Sequence, residues 1–249
     1  GAAASTTRAV WFGGGDPAGG SNVISYVTIA STGNAADFGD LLSSEEEMMP
    51  CSNSTRGLAA GDASASSTVI QYITIASTGN AADFGDMSPN TQRGAATANS
   101  TRALILGGLP GGTYTNQIQY VTIASLGNGT DFGDMTIARG RFGSLASSTR
   151  AVNCGGEIPA SSQTNIMDYV TIASTGNAID FGDLTNSGRW CGATSGATKG
   201  VITLGYNGGD LNTIDQITIA TTANATDFGD LSVTRRAVGA TSSAHGGLQ

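Results

Sequence analysis

A fifteen-residue segment recurs five times along the chain with few changes. Its first copy is YVTIASTGNAADFGD, and every copy ends in Asp-Phe-Gly-Asp, abbreviated DFGD below. The five DFGD segments begin at Asp37, Asp83, Asp131, Asp180 and Asp227, so that successive copies lie 46, 48, 49 and 47 residues apart. A second marker, Ser-Thr-Arg or a variant of it, precedes every copy and places a basic residue at Arg8, Arg56, Arg102, Arg150 and Lys199. Such a fixed period indicates that the fold is assembled from five similar units.

Each repeat contains four segments that are typical of β-strands. In the third repeat they are a small-residue run at 94–98, an apolar run at 103–108, a β-branched and aromatic run at 118–123, and a short run at 131–135. Four strands in a period of this length match one blade of a β-propeller, and the 3.6-residue periodicity of helical repeats is absent. The first strand of a blade lies nearest the propeller axis, where alanine, glycine and serine fit the crowding.

The sequence therefore predicts an all-β, five-bladed β-propeller with four antiparallel strands per blade, forming a single domain over residues 1–249. The repeats span approximately residues 1–46, 47–92, 93–140, 141–188 and 189–236, followed by 237–249 as a closing strand or the start of a further repeat. Residues 1–5 and 238–242 both have the composition of a first strand, although a closed ring needs only one of them. We expect the two terminal segments to share one blade, with membership of a longer array as the alternative.

Several features resemble Kelch repeats. One is an arginine before the first strand, found at Arg93, Arg141, Arg189 and Arg236, and another is a Gly-Gly doublet closing the second strand, as at Gly107-Gly108. The chain departs from the Kelch pattern in its DFGD segment, where Kelch repeats usually carry tryptophan. The combination of TIASTGN with DFGD is similar to repeats in virion proteins of marine tailed phages, and this resemblance implies a structural component of a virus particle.

The repeated phenylalanines and arginines are interpreted as structural. We expect Phe38, Phe84, Phe132, Phe181 and Phe228 to pack between blades, and the DFGD glycine to allow a bulge. The two aspartates of each DFGD segment should accept backbone N–H bonds or pair with the repeated arginines Arg8, Arg56, Arg102 and Arg150. A calcium site lined by aspartates in each blade is the alternative interpretation.

Charge and residue types exclude several classes of function. The net charge of −8 argues against nucleic-acid binding, which needs clustered lysine and arginine. No run of apolar residues is long enough for a membrane-spanning helix, so no membrane insertion is expected. The single histidine, His245, excludes a histidine-based metal site or catalytic triad. Since the carboxylates recur in every blade, we predict no catalytic residue, no metal and no cofactor, with a glycosidase as a less favoured alternative.

Sequence variation is concentrated in two of the four connections. The loops between strands one and two, and between strands three and four, are nearly constant, whereas the loops between strands two and three and those between successive blades differ in every repeat. Antiparallel strands bring the two variable connections to the same face, where binding residues are commonly found. The predicted contact residues on that face are Met48, Met49, Tyr114, Phe142, Trp190 and Tyr206. Unselected drift of unconstrained loops is the alternative.

These observations predict a non-enzymatic binding or structural propeller, located in a virion or outside the cell. Its expected role is that of a tail, fibre or decoration protein, and its expected partners are other virion proteins or a glycan or protein on a host surface. A stand-alone five-bladed lectin is the main alternative, and it would carry an aromatic and polar sugar pocket in each blade.

Overall fold

The protein is a five-bladed β-propeller in which five four-stranded antiparallel sheets are arranged in a ring. The structure, a computed structural model, describes residues 1–16, 19–62 and 67–242. Blade 1 contains β1 (Ala2–Ala4), β2 (Arg8–Asp16), β3 (Gly19–Thr28) and β4 (Ala36–Glu45). Blade 2 contains β5 (Met49–Ser52), β6 (Arg56–Ala60), β7 (Val69–Thr74) and β8 (Ala82–Asp86). Blade 3 contains β9 (Ala95–Ala98), β10 (Arg102–Gly108), β11 (Thr115–Thr122) and β12 (Thr130–Asp134).

The last two blades repeat this order, with an additional hairpin in blade 4. Blade 4 contains β13 (Gly143–Ala146), β14 (Arg150–Cys154), β17 (Ile166–Thr171) and β18 (Ile179–Asp183), with β15 (Glu157–Ile158) and β16 (Ser162–Gln163) paired as the hairpin. Blade 5 contains β19 (Gly192–Ser195), β20 (Lys199–Thr203), β21 (Thr213–Thr218) and β22 (Thr226–Asp230). Short 3-10 turns occur at Pro110–Gly112 and Pro159–Ser161. Neighbouring strands pair in chain order, as the four-strand repeat predicts.

The first strands of successive blades contact one another around the axis, in the order β1, β5, β9, β13 and β19. The expectation that the two terminal segments share one blade is wrong. Residues 2–4 form β1 and pair with β2, while blade 5 has its own first strand in β19. Each blade is therefore built from one continuous stretch of chain. His245 lies outside the described residues, as do residues 17–18 and 63–66 of the variable loops.

The hydrophobic core consists of four clusters, each shared by two adjacent blades. One side of each sheet faces the preceding blade and the other side faces the following blade. Phe38, Phe84, Phe132 and Phe181 lie within these clusters, each 2–3% exposed. Phe228 departs from the prediction because it is 59% exposed. It lies on the outer side of blade 5, which none of the four clusters covers.

The DFGD glycine occupies a β-bulge, as predicted. In blade 3 the pairing register shifts between Ile118 and Gln119, opposite this segment. Gly133 has φ 139°, and a Cβ atom at that position would lie 2.5 Å from the carbonyl oxygen of Gly176 in blade 4. The bulge therefore brings two backbones into close contact between blades, and only glycine fits there.

The repeated arginines connect neighbouring blades through backbone carbonyl groups rather than through carboxylates, which corrects the predicted ion pairs. Arg102 Nη1 donates to the carbonyl oxygen of Ile172 in the next blade at 2.8 Å, and its guanidinium lies 4.7 Å from the ring centre of Tyr120. The corresponding donors Arg8, Arg56 and Arg150 bond to Ile75, Ile123 and Ile219. The carboxylates make local bonds instead: Asp83 and Asp227 each accept the N–H of the DFGD glycine. Asp37, Asp131 and Asp180 are exposed at the same position.

Candidate functional site

The loops that vary between repeats lie together at one end of the sheets. Backbone bridges join the connection between blades to the loop between strands two and three, for example Gly140 to Glu157 and Arg189 to Tyr206. At the opposite end, the two constant loops are also joined, as shown by the bond from Ile75 N–H to the carbonyl oxygen of Thr55. We call the first end the variable face. The predicted separation of constant and variable loops is therefore present in the structure.

A buried carboxylate organises the part of the variable face that lies over blades 3 to 5. Glu157, on the additional hairpin, accepts hydrogen bonds from Arg141 Nη1 and, at 2.6 Å, from Arg189 Nη1. Its side chain is only 2% exposed. Burial alone would raise the pKa of Glu157, but the hydrogen bond from Arg141 and the charges of both arginines outweigh that effect and lower the pKa. Glu157 therefore holds two arginines of different blades in fixed positions.

Aromatic rings stack against these arginines. Trp190 and Tyr206 pack edge to face with ring centres 5.7 Å apart. The Arg189 guanidinium lies 4.3 Å from the ring centre of Trp190, and those of Arg141 and Arg236 lie 5.0 and 5.2 Å from it. Three cations thus surround one indole ring, an arrangement that favours cation–π contacts. We call this group of residues the aromatic–arginine cluster; its members are Tyr114, Arg141, Glu157, Arg189, Trp190, Tyr206 and Arg236.

Tyr114 extends the cluster towards blade 3. Burial raises the pKa of its hydroxyl, and the negative charge of Glu157 together with the hydrogen bond between the two side chains raises it further. At the other end, Arg236 Nε lies 3.2 Å from Asp210, and both of these side chains are partly exposed. Arg141 and Arg189 each keep a buried Nε without a hydrogen-bond partner among the described residues.

A recurring backbone turn determines where these side chains lie. The residue two positions before each of β5, β9, β13 and β19 has a positive φ of 53–56°; these residues are Glu47, Arg93, Arg141 and Trp190, and Ala237 has the same conformation before residues 239–242. Such a conformation is uncommon for residues other than glycine. Backbone bonds from Arg141 N–H to Arg93 and from Trp190 N–H to Arg141 join successive turns around the axis. Because the turn is constant and the side chain varies, equivalent positions present a carboxylate at Glu47, a guanidinium at Arg93 and Arg141, and an indole at Trp190.

Three of the six predicted contact residues lie in this cluster, and three do not. Tyr114, Trp190 and Tyr206 are half-buried members of it. Met48, Met49 and Phe142 are only 7%, 3% and 4% exposed and pack in the clusters between blades. The prediction that these three present themselves to a partner is corrected. They follow the positive-φ turn directly, where the chain enters the narrow space between two inner strands.

Neither Glu157 nor the arginines that stack on Trp190 were predicted from the sequence to have a binding role. The arginine before strand one was recognised only as a Kelch-like feature. One feature of the sequence could have indicated the pairing: Glu157 directly follows a Gly-Gly doublet, in the loop that faces those arginines. Its pairing with Arg141 and Arg189 depends on contacts between blades, which the sequence of a single repeat does not specify.

Within the described residues, no three histidine, cysteine or acidic side chains lie close enough together to hold a metal ion. In the same part of the chain, no helix has the length and apolar character needed to cross a membrane. The chain matches no protein-family model, and no curated protein is significantly similar to it in sequence. Its function is therefore argued from the variable face itself.

Proposed function

We propose that the protein is a non-enzymatic binding propeller that contacts another macromolecule through the aromatic–arginine cluster on its variable face. The observation that carries this proposal is the convergence of one tryptophan, two tyrosines and three arginines on the face where the repeats differ. Tryptophan, tyrosine and arginine are the residue types that most often dominate the energy of protein interfaces. Glu157 orders the arginines in advance, which reduces the entropy lost on binding.

In this proposal the protein is a tail, fibre or decoration component of a virion. Its partner is another virion protein or a protein or glycan on the host surface. This role rests on the resemblance of the TIASTGN and DFGD wording to repeats in virion proteins of marine tailed phages, which neither a family model nor a curated protein identifies. The propeller supports it as well, because a scaffold of nearly identical blades keeps its shape while one face diversifies.

The one carboxylate of the cluster, Glu157, is unsuited to catalysis, which supports a binding role. A glycosidase needs an acid with a raised pKa opposite a second carboxylate across an open site. The pKa of Glu157 is lowered instead, and both of its oxygens are bonded to arginine. The first aspartate of each DFGD segment is exposed and repeats in every blade, so it does not define one active centre.

The distribution of aromatic residues favours a single contact region over one sugar site per blade. Tyr114 belongs to blade 3, Trp190 and Tyr206 both belong to blade 5, and the Trp190–Tyr206 pair is the only aromatic pair described on the variable face. A lectin with equivalent pockets would repeat this pair around the ring. Binding of several equivalent sugars per chain on a glycan array would favour the lectin and contradict a single contact region.

The experiment compares two substitutions for binding to isolated virus particles and to host-cell envelopes. Trp190→Ala removes the centre of the cluster, and Ala237 shows that alanine occupies the same positive-φ turn elsewhere in the chain. Leu126→Ala is the control, because Leu126 is 59% exposed on a constant loop at the opposite face. We expect Trp190→Ala to weaken binding at least about 30-fold, as for a loss of about 2 kcal/mol at an interface.

The thermal midpoints of both variants should stay close to that of the unsubstituted chain, so that lost binding is not lost folding. Equal weakening by Leu126→Ala, or no weakening by Trp190→Ala, would contradict the proposed face. Mass spectrometry and immunogold labelling of particles test the virion role separately. Particles that lack the chain would contradict that role and leave the binding face to be judged by the first experiment.

A further inference from the structure

The boundary between blade 5 and blade 1 lacks the packing found at the other four boundaries. Among the described residues, the four hydrophobic clusters join blades 1 to 2, 2 to 3, 3 to 4 and 4 to 5, and none joins blade 5 to blade 1. On the blade 5 side, Phe228 is 59% exposed. On the blade 1 side, Ile29 is 51% and Trp11 43% exposed, whereas Ile75, at the position of Ile29 in blade 2, is 0% exposed. We call this boundary the open seam.

Among the residues that the structure describes, the polar contacts that connect adjacent blades are also missing at the open seam. At the boundary of blades 2 and 3, the N–H of Gly127 bonds to the carbonyl oxygen of Phe84 at 2.9 Å. In the same boundary, Asn128 Oδ1 accepts the N–H of Asp86 at 3.0 Å. Blade 1 retains the equivalent Gly33 and Asn34, but neither has a partner in the part of the chain that the structure describes.

The outer side of blade 5 likewise retains the shape of an interface, which no described residue contacts at Gly229. A Cβ atom on Gly39, Gly85, Gly133 or Gly182 would lie 2.4–2.6 Å from the backbone of the following blade. The equivalent Gly229 has no described atom within 4 Å of that position. Lys199 replaces the bridging arginine and bonds to Thr218 within its own blade. Gln216 replaces the tyrosine that stacks against this arginine in the other four blades. The outer side of blade 5 is therefore more polar than the equivalent side of those blades, while Phe228 and Leu231 keep its centre apolar.

A sixth inner segment already lies beside blade 5. Ala237 has φ 56° and donates its N–H to the carbonyl oxygen of Trp190, repeating the turn that precedes the other inner strands. Ser242 Oγ donates to the carbonyl oxygen of Ser195 at 2.5 Å, as Ser195 Oγ does to Ala146 at 2.7 Å. Six segments consequently line the axial channel, and the last of them comprises residues 240–242.

We infer that the open seam takes one further blade of this repeat type, in which residues 239–242 form the first strand. Strands two to four of that blade would lie against the outer side of blade 5 and the uncovered side of blade 1. The side of the added blade that faces blade 5 would cover Phe228, and the side that faces blade 1 would cover Trp11 and Ile29. An arginine at the start of its second strand would donate to the carbonyl oxygen of Ile29, as Arg8 does to Ile75. This interface continues the one that the ring already repeats four times.

The position of residues 239–242 argues against two other ways of filling the open seam, which are direct closure of blade 5 onto blade 1 and insertion of a second copy of the chain. Direct closure of blade 5 onto blade 1 would bring five inner strands around the axis, yet the sixth inner position is already filled by this chain. A second copy would have to insert a complete blade with its own first strand, which those residues would obstruct. The inference stands apart from the proposed function, since the open seam does not involve the aromatic–arginine cluster.

The test supplies the missing strands by fusion. Residues 99–135, which hold strands two to four of blade 3, are joined directly after Ser242, which occupies the position of Ala98 in blade 3. Trp190→Phe in the same chain leaves Trp11 as the only tryptophan. We expect acrylamide to quench Trp11 strongly in the unfused chain and at least about fivefold less in the fusion. Hydrogen exchange of the Gly33 amide should slow at least about 100-fold, because that N–H gains a carbonyl partner.

A control fusion replaces the appended copies of Phe132 and Ile123 with serine, which removes the apolar contacts and keeps the length. It should leave Trp11 as accessible as in the unfused chain. A second fusion carrying residues 147–184, from blade 4, guards against a failure peculiar to one repeat. Trp11 that stays accessible in both unmodified fusions would overturn the inference. So would a Trp11 already shielded in the unfused monomer, or one shielded only as chains associate with rising concentration in sedimentation.

Discussion

Two aspartates at the same position of neighbouring blades should differ in how much the same substitution changes the free energy of unfolding. Asp168 and Asp215 are both 0% exposed, and each accepts the N–H of a threonine that follows the DFGD segment of the preceding blade. Asp168 also lies 2.7 Å from Arg139 Nη2, which is itself 0% exposed. Asp215 has no such cation among the described residues, because Gly188 occupies the position that corresponds to Arg139.

For Asp168→Asn we expect the free energy of unfolding to fall by about 3–5 kcal/mol, because Arg139 would become a buried charge without a counter-ion. A loss of that size corresponds to a decrease of about 6–20 °C in the thermal midpoint of a chain of this length. For Asp215→Asn we expect a change below about 1 kcal/mol, since an amide retains a bond to each group of Thr185 and removes an uncompensated charge.

The pH dependence separates the two cases further. Burial is the main cause that raises the pKa of Asp215, and the charge of Asp227 adds to it. A carboxyl group whose pKa is raised on folding contributes its full stability below its unfolded pKa and loses it as the pH rises through the folded value. Asp215→Asn should therefore gain stability relative to the unsubstituted chain as the pH rises from 3.8 through that value.

Urea titrations at several pH values, followed by circular dichroism, measure both effects. The double variant Asp168→Asn with Arg139→Met should recover part of the loss, because it removes the stranded cation along with its partner. Similar losses for the two single aspartate variants would refute the reasoning, as they would show that the lost hydrogen bonds rather than the ion pair determine the energy.

Three shorter predictions concern the boundaries and the variable face. Phe132→Ala should lower the free energy of unfolding by about 3–5 kcal/mol and Phe228→Ala by less than about 1 kcal/mol; equal losses in urea would mean that the boundary of blade 5 is packed. Arg102→Ala should cost about 1–3 kcal/mol through its lost carbonyl bond and ring contact, and Arg102→Lys should restore only part of it; an unchanged urea midpoint would contradict this. Because its pKa is lowered, Glu157 should stabilise the cluster above pH 4.5 and lose that effect as the pH falls through the folded value. In a variant whose only tryptophan is Trp190, the fluorescence spectrum should then change in acid. When Glu157→Gln is added to that variant, the spectrum seen in acid should already appear at pH 7.

The fold was predictable because its signal repeats. A five-fold period, β-branched third strands and small first strands together determine the blade, its strand order and the place of each loop. The bulge at the DFGD glycine also followed from residue type, as glycine alone accepts a close backbone approach with positive φ. Residues such as Phe132 were expected between blades because an aromatic residue repeated in every unit needs a repeated apolar environment.

The contacts between blades were less predictable because they join distant residues, which for the arginine bonds lie 67–70 positions apart. Arg102 was expected to find a carboxylate, since opposite charges usually pair, but the nearest acceptor is the carbonyl group of Ile172 in the next blade. Met49 was expected on the surface because its loop varies, yet the turn before it directs the side chain inwards. The loop sequence shows which residues differ between repeats, while the direction of each side chain depends on the neighbouring blade.

The same contacts explain how one face varies while the scaffold stays constant. Most bonds between blades end on backbone groups, as with Arg102 on the carbonyl of Ile172 and Asn128 on the N–H of Asp86. Such bonds do not depend on which side chains occupy the loops at the variable face. A substitution of a half-buried residue there, such as Trp190, changes the contact surface without removing these bonds, whereas loss of Arg102 or of Asn128 in the constant loops breaks a bond between blades. Selection can therefore act on Trp190 and its neighbours with little cost in stability, which is the property that a recognition surface on a propeller requires.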